Sequence, residues 1–328
     1  MTLLITGGTG FLGSYLTRYA LLEQGEERVV TLDKFVDRGR IDDVLDRVTV
    51  LEGDVTDFRS VRSAIEDHGI DRIAHFAFLL GAPTRDSVLP YVQVQTLGTA
   101  HVFEAARQTG VDRVLFASSV AVYGPQAQTT LHEALPVQPT DPYASSKAWG
   151  EELGRYYTQA LGLDVVSLRF SSVYGFGRAV RGSYSSGLLA APRAVHYMAR
   201  VEDAVRGQPI VMPGGDTVTD FTYAADAAQA SWLALTAPSL SHQLYNVSSE
   251  RRRVREFSRA VREALPDADV TISEADHPGH PHPPMDHSRI GELGFVPQSQ
   301  YTMAAGLEDY VRRVTAYDAY WATGRTAF

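Results

Sequence analysis

Along the first half of the chain, short apolar runs alternate with longer stretches in which apolar residues recur every three or four positions. "TLLIT", "RVVTLD", "VTVLEGD", "RIAHFAF" and "RVLFASS" read as strands, while "FLGSYLTRYALLEQG", "DFRSVRSAIEDHG" and "YVQVQTLGTAHVFEAARQTG" carry helical periodicity. Strands that are apolar throughout, each followed by a helix, predict a parallel sheet covered on both faces. After "DVVSLRF" the rhythm loosens into "SSVYGFGRAVRGSYSSG", and later helices and strands mix without a repeat. The expected division is therefore a first domain over residues 1–172 and a smaller α/β domain over 173–328, with the chain crossing back to the first sheet around 220–247.

Composition narrows what such a chain can do. At 44% hydrophobic and 21% charged, 328 residues are enough for a full core. The absence of cysteine excludes disulfides, thiolate nucleophiles and sulfur-built zinc sites. A formal net charge of −9 argues against nucleic-acid binding, and the run Arg251-Arg252-Arg253 reads as a solvated helix face. "MTLLITGG" reads as a strand meeting glycines, not as a signal peptide, and no apolar run approaches the roughly 20 residues that span a bilayer. The expectation is a soluble cytoplasmic protein without membrane partners.

Two local patterns carry chemistry. "TGGTGFLG" joins the first strand to the first helix, so Gly7, Gly10 and Gly13 supply a tight turn, close approach to a pyrophosphate and close helix packing, with Phe11 and Leu12 opening the helix. Asp33 follows about 20 residues later at the end of "VVTLD", where an acid accepts ribose hydroxyls and repels a 2′-phosphate, so NAD is expected and not NADP. Lys34 beside it is the opposing charge. The second pattern is "DPYASSK", in which Asp141-Pro142 starts a helix and Tyr143 and Lys147 share one of its faces.

Taken in order, "TGGTGFLG", "GDVTD", "HFAFLLG", "SSVAVYG", "YASSK" and "LRFSSVYG" resemble the extended short-chain dehydrogenase/reductase family of NAD-dependent epimerases and dehydratases. The likeness extends through "GGDTVTDFTYAADAAQA" and "YNVSS". It implies a Rossmann-type doubly wound parallel sheet with a smaller C-terminal α/β substrate domain. It further implies that Asp54 and Val55 flank the adenine, that Ala77, Phe170 and Val173 lie along the nicotinamide half, and that Lys147 binds the nicotinamide ribose. By the same resemblance Ser119, Tyr143 and Lys147 are the catalytic set. Tyr143 would exchange a proton with a substrate oxygen while hydride moves between that carbon and the nicotinamide, and Ser119 would hydrogen-bond the same oxygen. A free tyrosine is a poor base at neutral pH, and Lys147, the oxidised nicotinamide and the helix N-terminus are each expected to lower its pKa.

Departures from the family pattern bear on the substrate. The two acids of sugar-nucleotide dehydratases are replaced by Val120 and Ala121, which argues against elimination of water. The asparagine and the diphosphate-binding arginine of many sugar-nucleotide epimerases are replaced by Ser172 and Thr219, and the fourth-helix asparagine by Gln95. Leu80, Ser119, Ser172, Arg178 and Arg181 are the substrate-side candidates, with Arg193 in the same cleft-lining segment. Three functions fit: an epimerase acting on a sugar or nucleotide sugar, a net dehydrogenase of a small non-nucleotide substrate such as a sugar acid or amino acid, and an NAD-binding sensor. The intact Ser119, Tyr143 and Lys147 argue against the sensor. No metal is expected: His277, His280, His282 and His287 sit in a proline-rich stretch that reads as a variable loop. A homodimer through helices near 92–108 and 144–160 is expected from the resemblance alone.

Overall fold

The computed structural model describes residues 1–26, 28–79, 88–126, 130–178, 197–274, 283–297 and 302–323. Strand β1 (Thr2–Thr6) runs through the glycine turn into helix α1 (Phe11–Arg18). Strands β2 (Arg28–Asp33) and β3 (Val48–Glu52) precede α2 (Phe58–His68), which opens on the Asp57 carboxylate accepting from Arg59 N and ends at Gly69 with φ 59°. Strand β4 (Arg72–His75) leads to α3 (Val88–Val92), a π-helical turn over Gln93–Gly98, and α4 (Thr99–Thr109). Strand β5 (Arg113–Ser119), α5 (Pro142–Leu161) and β6 (Asp164–Phe170) complete the first half. Helix α5 begins as its sequence requires: Asp141 accepts from Ala144 N, and Pro142 occupies the first turn.

The second half contains β7 (Ser172–Tyr174), α6 (Arg200–Val205), β8 (Ile210–Pro213), β9 (Val218–Tyr223), α7 (Ala224–Thr236), β10 (Leu244–Val247), β11 (Glu250–Arg253), α8 (Val254–Ala264), β12 (Val270–Ser273), α9 (Ser288–Gly291) and α10 (Met303–Ala322). The main sheet has the order β10-β6-β5-β4-β1-β2-β3 with every pairing parallel. Strand β10 thus returns from the second half to the edge of the first sheet. Strands β11, β9 and β7 form a separate sheet, and β12 pairs with β8. The run Arg251–Arg253 lies on strand β11 and not on a helix face, because it pairs antiparallel with β9 and the helix starts only at Val254.

Strand β1 shows why the sheet is apolar throughout. Leu3 and Ile5 enter the core on one face with Tyr15, Leu16 and Leu168, whereas Leu4 enters the core on the other with Val30, Val61 and Phe103. The chain leaves β3 at one edge and re-enters as β4 on the far side of β1, so the strand order reverses between β1 and β4. In open parallel sheets ligands bind at the carboxyl edge beside such a reversal.

Candidate active site

The glycine turn sits at this reversal. Gly7 has φ 72°, and a Cβ on it would lie 2.8 Å from the Phe76 carbonyl oxygen and 2.9 Å from Ala77 N. A Cβ on Gly13 would run into the Gly7 carbonyl and lie 2.7 Å from Gly8 Cα, so turn and helix approach as only glycine permits. Helix α1 opens at Gly10 with no capping side chain and no acid in its first turn, leaving its first N–H groups for an anion. These are the features a dinucleotide pyrophosphate requires.

Asp33 lies beside the turn, accepting from Thr9 N at 3.2 Å on both oxygens. Burial pushes its pKa up to about 7 against the hydrogen bonds from Thr9 and the charge of Arg40. Lys34 does not turn toward Asp33's ribose side: its Nζ pairs with Asp54 Oδ2 at 2.6 Å, which holds that carboxyl below its usual value against the effect of its partial burial. Val55 packs beneath the π-helical turn against Gly98, and its carbonyl faces His101 Nδ1 at 3.0 Å. Ala77 N donates to Thr6 Oγ1 at 3.3 Å. Gln95 clasps the backbone of Leu79, its Oε1 accepting from Leu79 N at 3.1 Å and its Nε2 donating to Leu79 O at 3.2 Å.

The catalytic candidates converge at the carboxyl ends of β5 and β6, where Ser119 and Phe170 are register partners. Tyr143, in the first turn of α5, has the Ser119 side chain beside its phenol. Its phenol is not lowered as expected. Burial raises it, and the neighbouring Ser119 side chain and the Arg178 charge only partly oppose that rise. The reason is where Lys147 points: Nζ donates to Ala117 O at 2.7 Å and stands 2.9 Å from the Phe78 ring centroid, while the Tyr143 ring centroid is 5.6 Å away. Burial also carries the Lys147 ammonium well below its ordinary value, against the charge of Glu151.

Arg178 follows β7, donating to Val173 O and facing the Phe11 ring at 5.9 Å, so it joins the start of α1 to the Tyr143 end of the site. Ser172 lies on β7 opposite Phe221, and Thr219 is buried on β9 opposite Arg252. Leu80, Arg181, Arg193, His277, His280 and His282 lie outside the described residues, and His287 stands at the start of α9.

Several residues of the site escaped the motifs. One turn beyond Lys147, the Glu151 carboxylate receives Ser118 Oγ and two guanidinium bonds from Arg169, at 2.8 and 2.6 Å. Arg169 in turn lies over the Tyr123 ring at 4.5 Å. The spacing of Lys147 and Glu151 on one helix face was a legible signal. His75, at the end of β4, is bracketed by the Thr6 and Thr99 hydroxyls at 2.7 and 3.2 Å, and burial with the Lys147 charge drives its pKa down to about 3.

A glycine turn at the strand-order reversal with Asp33 beside it, and Ser119, Tyr143 and Lys147 at the same edge of the sheet, is the arrangement of an NAD-dependent enzyme of the Rossmann class. Residues 3–248 match the NAD dependent epimerase/dehydratase family, and the chain belongs to it. It is 30% identical over 240 residues to a UDP-glucose 4-epimerase of Halalkalibacterium halodurans, covering 71% of this chain and 70% of that protein. The structure superimposes on the UDP-glucose 4-epimerase of Thermus thermophilus in complex with NAD, with TM-score 0.77 and 30% identity over 96% of this chain and 99% of that one. A partial consensus L-threonine 3-dehydrogenase, 23% identical with TM-score 0.77 over 96% of this chain and all of that one, shares the fold. The cofactor is NAD. No helix among the described residues is long and apolar enough to cross a membrane.

Proposed function

We propose that the protein is an epimerase that oxidises a secondary hydroxyl of a sugar or nucleotide-sugar substrate and returns hydride to the opposite face, with Tyr143 as acid/base. The observation that carries this reading is the proximity of the Ser119 and Tyr143 side chains at the carboxyl edge of the sheet that bears the glycine turn. NAD, when bound, takes up the hydride and gives it back. Tyr143 takes the hydroxyl proton and restores it, and Ser119 steadies the charge that develops on the same oxygen. Tyr143 accepts that proton as the phenolate, a form that burial disfavours and that the positive charges of Lys147 and of the bound oxidised nicotinamide would stabilise. Val120 and Ala121 provide no acid for elimination. Residues 1–172 are assigned to NAD binding and 173–328 to the substrate, in the cytoplasm.

The UDP-glucose 4-epimerase relatives support a nucleotide-sugar substrate. The test is the nucleotide content of freshly purified protein, followed by incubation with UDP-glucose or UDP-galactose and chromatography of the sugars. Retained, near-stoichiometric NAD and interconversion without NADH are expected. Tyr143→Phe should lower turnover by about a thousandfold with NAD content unchanged, and turnover within a few-fold of wild type would refute the assignment. A second reading, net dehydrogenation of a small unactivated substrate, is favoured by Ser172 and Thr219, which bring no charge to a diphosphate. NADH accumulating with a sugar acid or amino acid, from protein that releases NAD freely, would select it.

We also propose a homodimer through α3–α4 and α5. Val88, Leu89, Val92 and Leu97 on one helical run and Trp149 and Tyr156 on the other are large apolar side chains left exposed, Leu89 at 67%.

A further inference from the structure

The loop after β2 is connected at once to the glycine cradle and to the C-terminal helix. Thr9, the residue between Gly8 and Gly10, donates its N–H to Asp33 and accepts Asp37 N on its hydroxyl at 3.0 Å. Arg40 reaches the Thr9 carbonyl at 3.5 Å and pairs with Asp37 Oδ2 at 3.1 Å. The same Asp37 oxygen accepts the hydroxyl of Tyr317, on α10, at 3.0 Å. The loop is pressed close to that helix: a Cβ on Gly39 would lie 2.8 Å from Trp321 Nε1, 2.9 Å from the Tyr320 ring and 3.0 Å from the Tyr317 ring. A continuous path thus runs from the ribose-reading Asp33 through Thr9 and Asp37 to α10.

Tyr317 also meets the other end of the cradle. Its ring packs on Phe176 at 5.2 Å, and Phe176 N donates to Tyr15 OH at 3.0 Å. Gly177, the next residue, would place a Cβ 3.6 Å from both Arg40 Nε and Phe11 Cα. Its N–H is held by the buried Glu202 carboxylate at 3.0 Å. The turn that carries Arg178 therefore closes over the start of α1 against the same tyrosine that anchors Asp37.

We infer that Tyr317 is a positioning residue for cofactor retention, a latch by which the C-terminal helix holds the β2 loop and the 175–178 turn closed on the two sides of the NAD cradle. It acts through Asp37 and touches neither cofactor nor substrate. The inference rests on the NAD site and stands whichever substrate the enzyme takes. Its physical basis is that NAD departs only when the elements over the cradle open, and the hydroxyl bond to Asp37 is one that opening must break.

Tyr317→Phe removes that bond and keeps the ring against Phe176. Dissociation of NAD from the holoprotein, followed by dilution into excess competing nucleotide and chromatography of the retained fraction, should accelerate about tenfold, equivalent to about 1.4 kcal/mol. Far-UV circular dichroism should match the wild type, and the melting temperature in excess NAD should fall by no more than the weaker binding accounts for. Asp37→Ala removes the acceptor of that bond together with the Arg40 ion pair and should accelerate release at least as much, and adding Tyr317→Phe to it should bring no further acceleration. Release of Tyr317→Phe at the wild-type rate would overturn the inference, as would additive effects of the two substitutions or a lowered melting temperature without faster release.

Discussion

The histidine at the floor of the site offers a quantitative test of the electrostatics. His75 is fully buried between two threonine hydroxyls, and its pKa falls from 6.5 to about 3 because burial and the neighbouring Lys147 disfavour the imidazolium. The unfolded chain therefore binds a proton between pH 6.5 and 3 that the native state does not, so this group makes stability fall as pH is lowered through that window. At pH 8 neither state is protonated. At pH 5 the unfolded histidine is about 30-fold more protonated than neutral while the native one stays neutral, a loss of about 2 kcal/mol. Asp33, raised to about 7, acts in the opposite sense, since its native carboxyl holds a proton that the unfolded one has released. The two nearly cancel in the wild type, so the measurement must be a difference. Urea unfolding of wild type and His75→Asn at pH 8 and pH 5 isolates the histidine, because Asp33 is common to both. The variant should start less stable, having lost packing and one hydroxyl bond, yet its stability change between the two pH values should be more favourable by about 2 kcal/mol. Equal changes within about 0.5 kcal/mol would show that His75 titrates normally and that the floor of the site is wetter than its burial indicates.

Gly13→Ala sets a methyl against the Gly7 carbonyl, and isothermal titration should show NAD affinity reduced by more than about tenfold, with a normal value counting against the cradle. Arg169→Met leaves Glu151 buried beside Ser118 without its two guanidinium bonds, and urea denaturation should register a loss of about 3–5 kcal/mol. If the proposed dimer forms through α3–α4 and α5, Leu89→Glu combined with Trp149→Glu should lower the sedimentation coefficient to that of a monomer, and a wild-type dimer left intact by both substitutions would exclude this face as the interface.

What the chain disclosed unaided were the features written in short spacings. Gly7, Gly10 and Gly13 fall on a strand-turn-helix junction, Asp33 ends the next strand, Asp141-Pro142 caps α5, and Tyr143 and Lys147 share its face, because turn geometry and helical periodicity act within a few residues. The parallel sheet was legible for the same reason, each apolar run being local. Where charges end up was not. Lys34 could have faced the ribose, but folding delivers Asp54 to it. Lys147 could have met Tyr143, but the Ala117 carbonyl and the Phe78 ring hold it, and burial raises the phenol that sequence alone would have lowered. The Arg251–Arg253 run became a strand because β9 offers it an antiparallel edge. Tyr317 and Asp37 are 280 positions apart, and no spacing rule reaches that far. Motifs named the candidate groups that lie within a few residues of one another, whereas desolvation and long-range pairing, which depend on the neighbours that tertiary packing supplies, decided their charge states, what holds them, and which further residues join them.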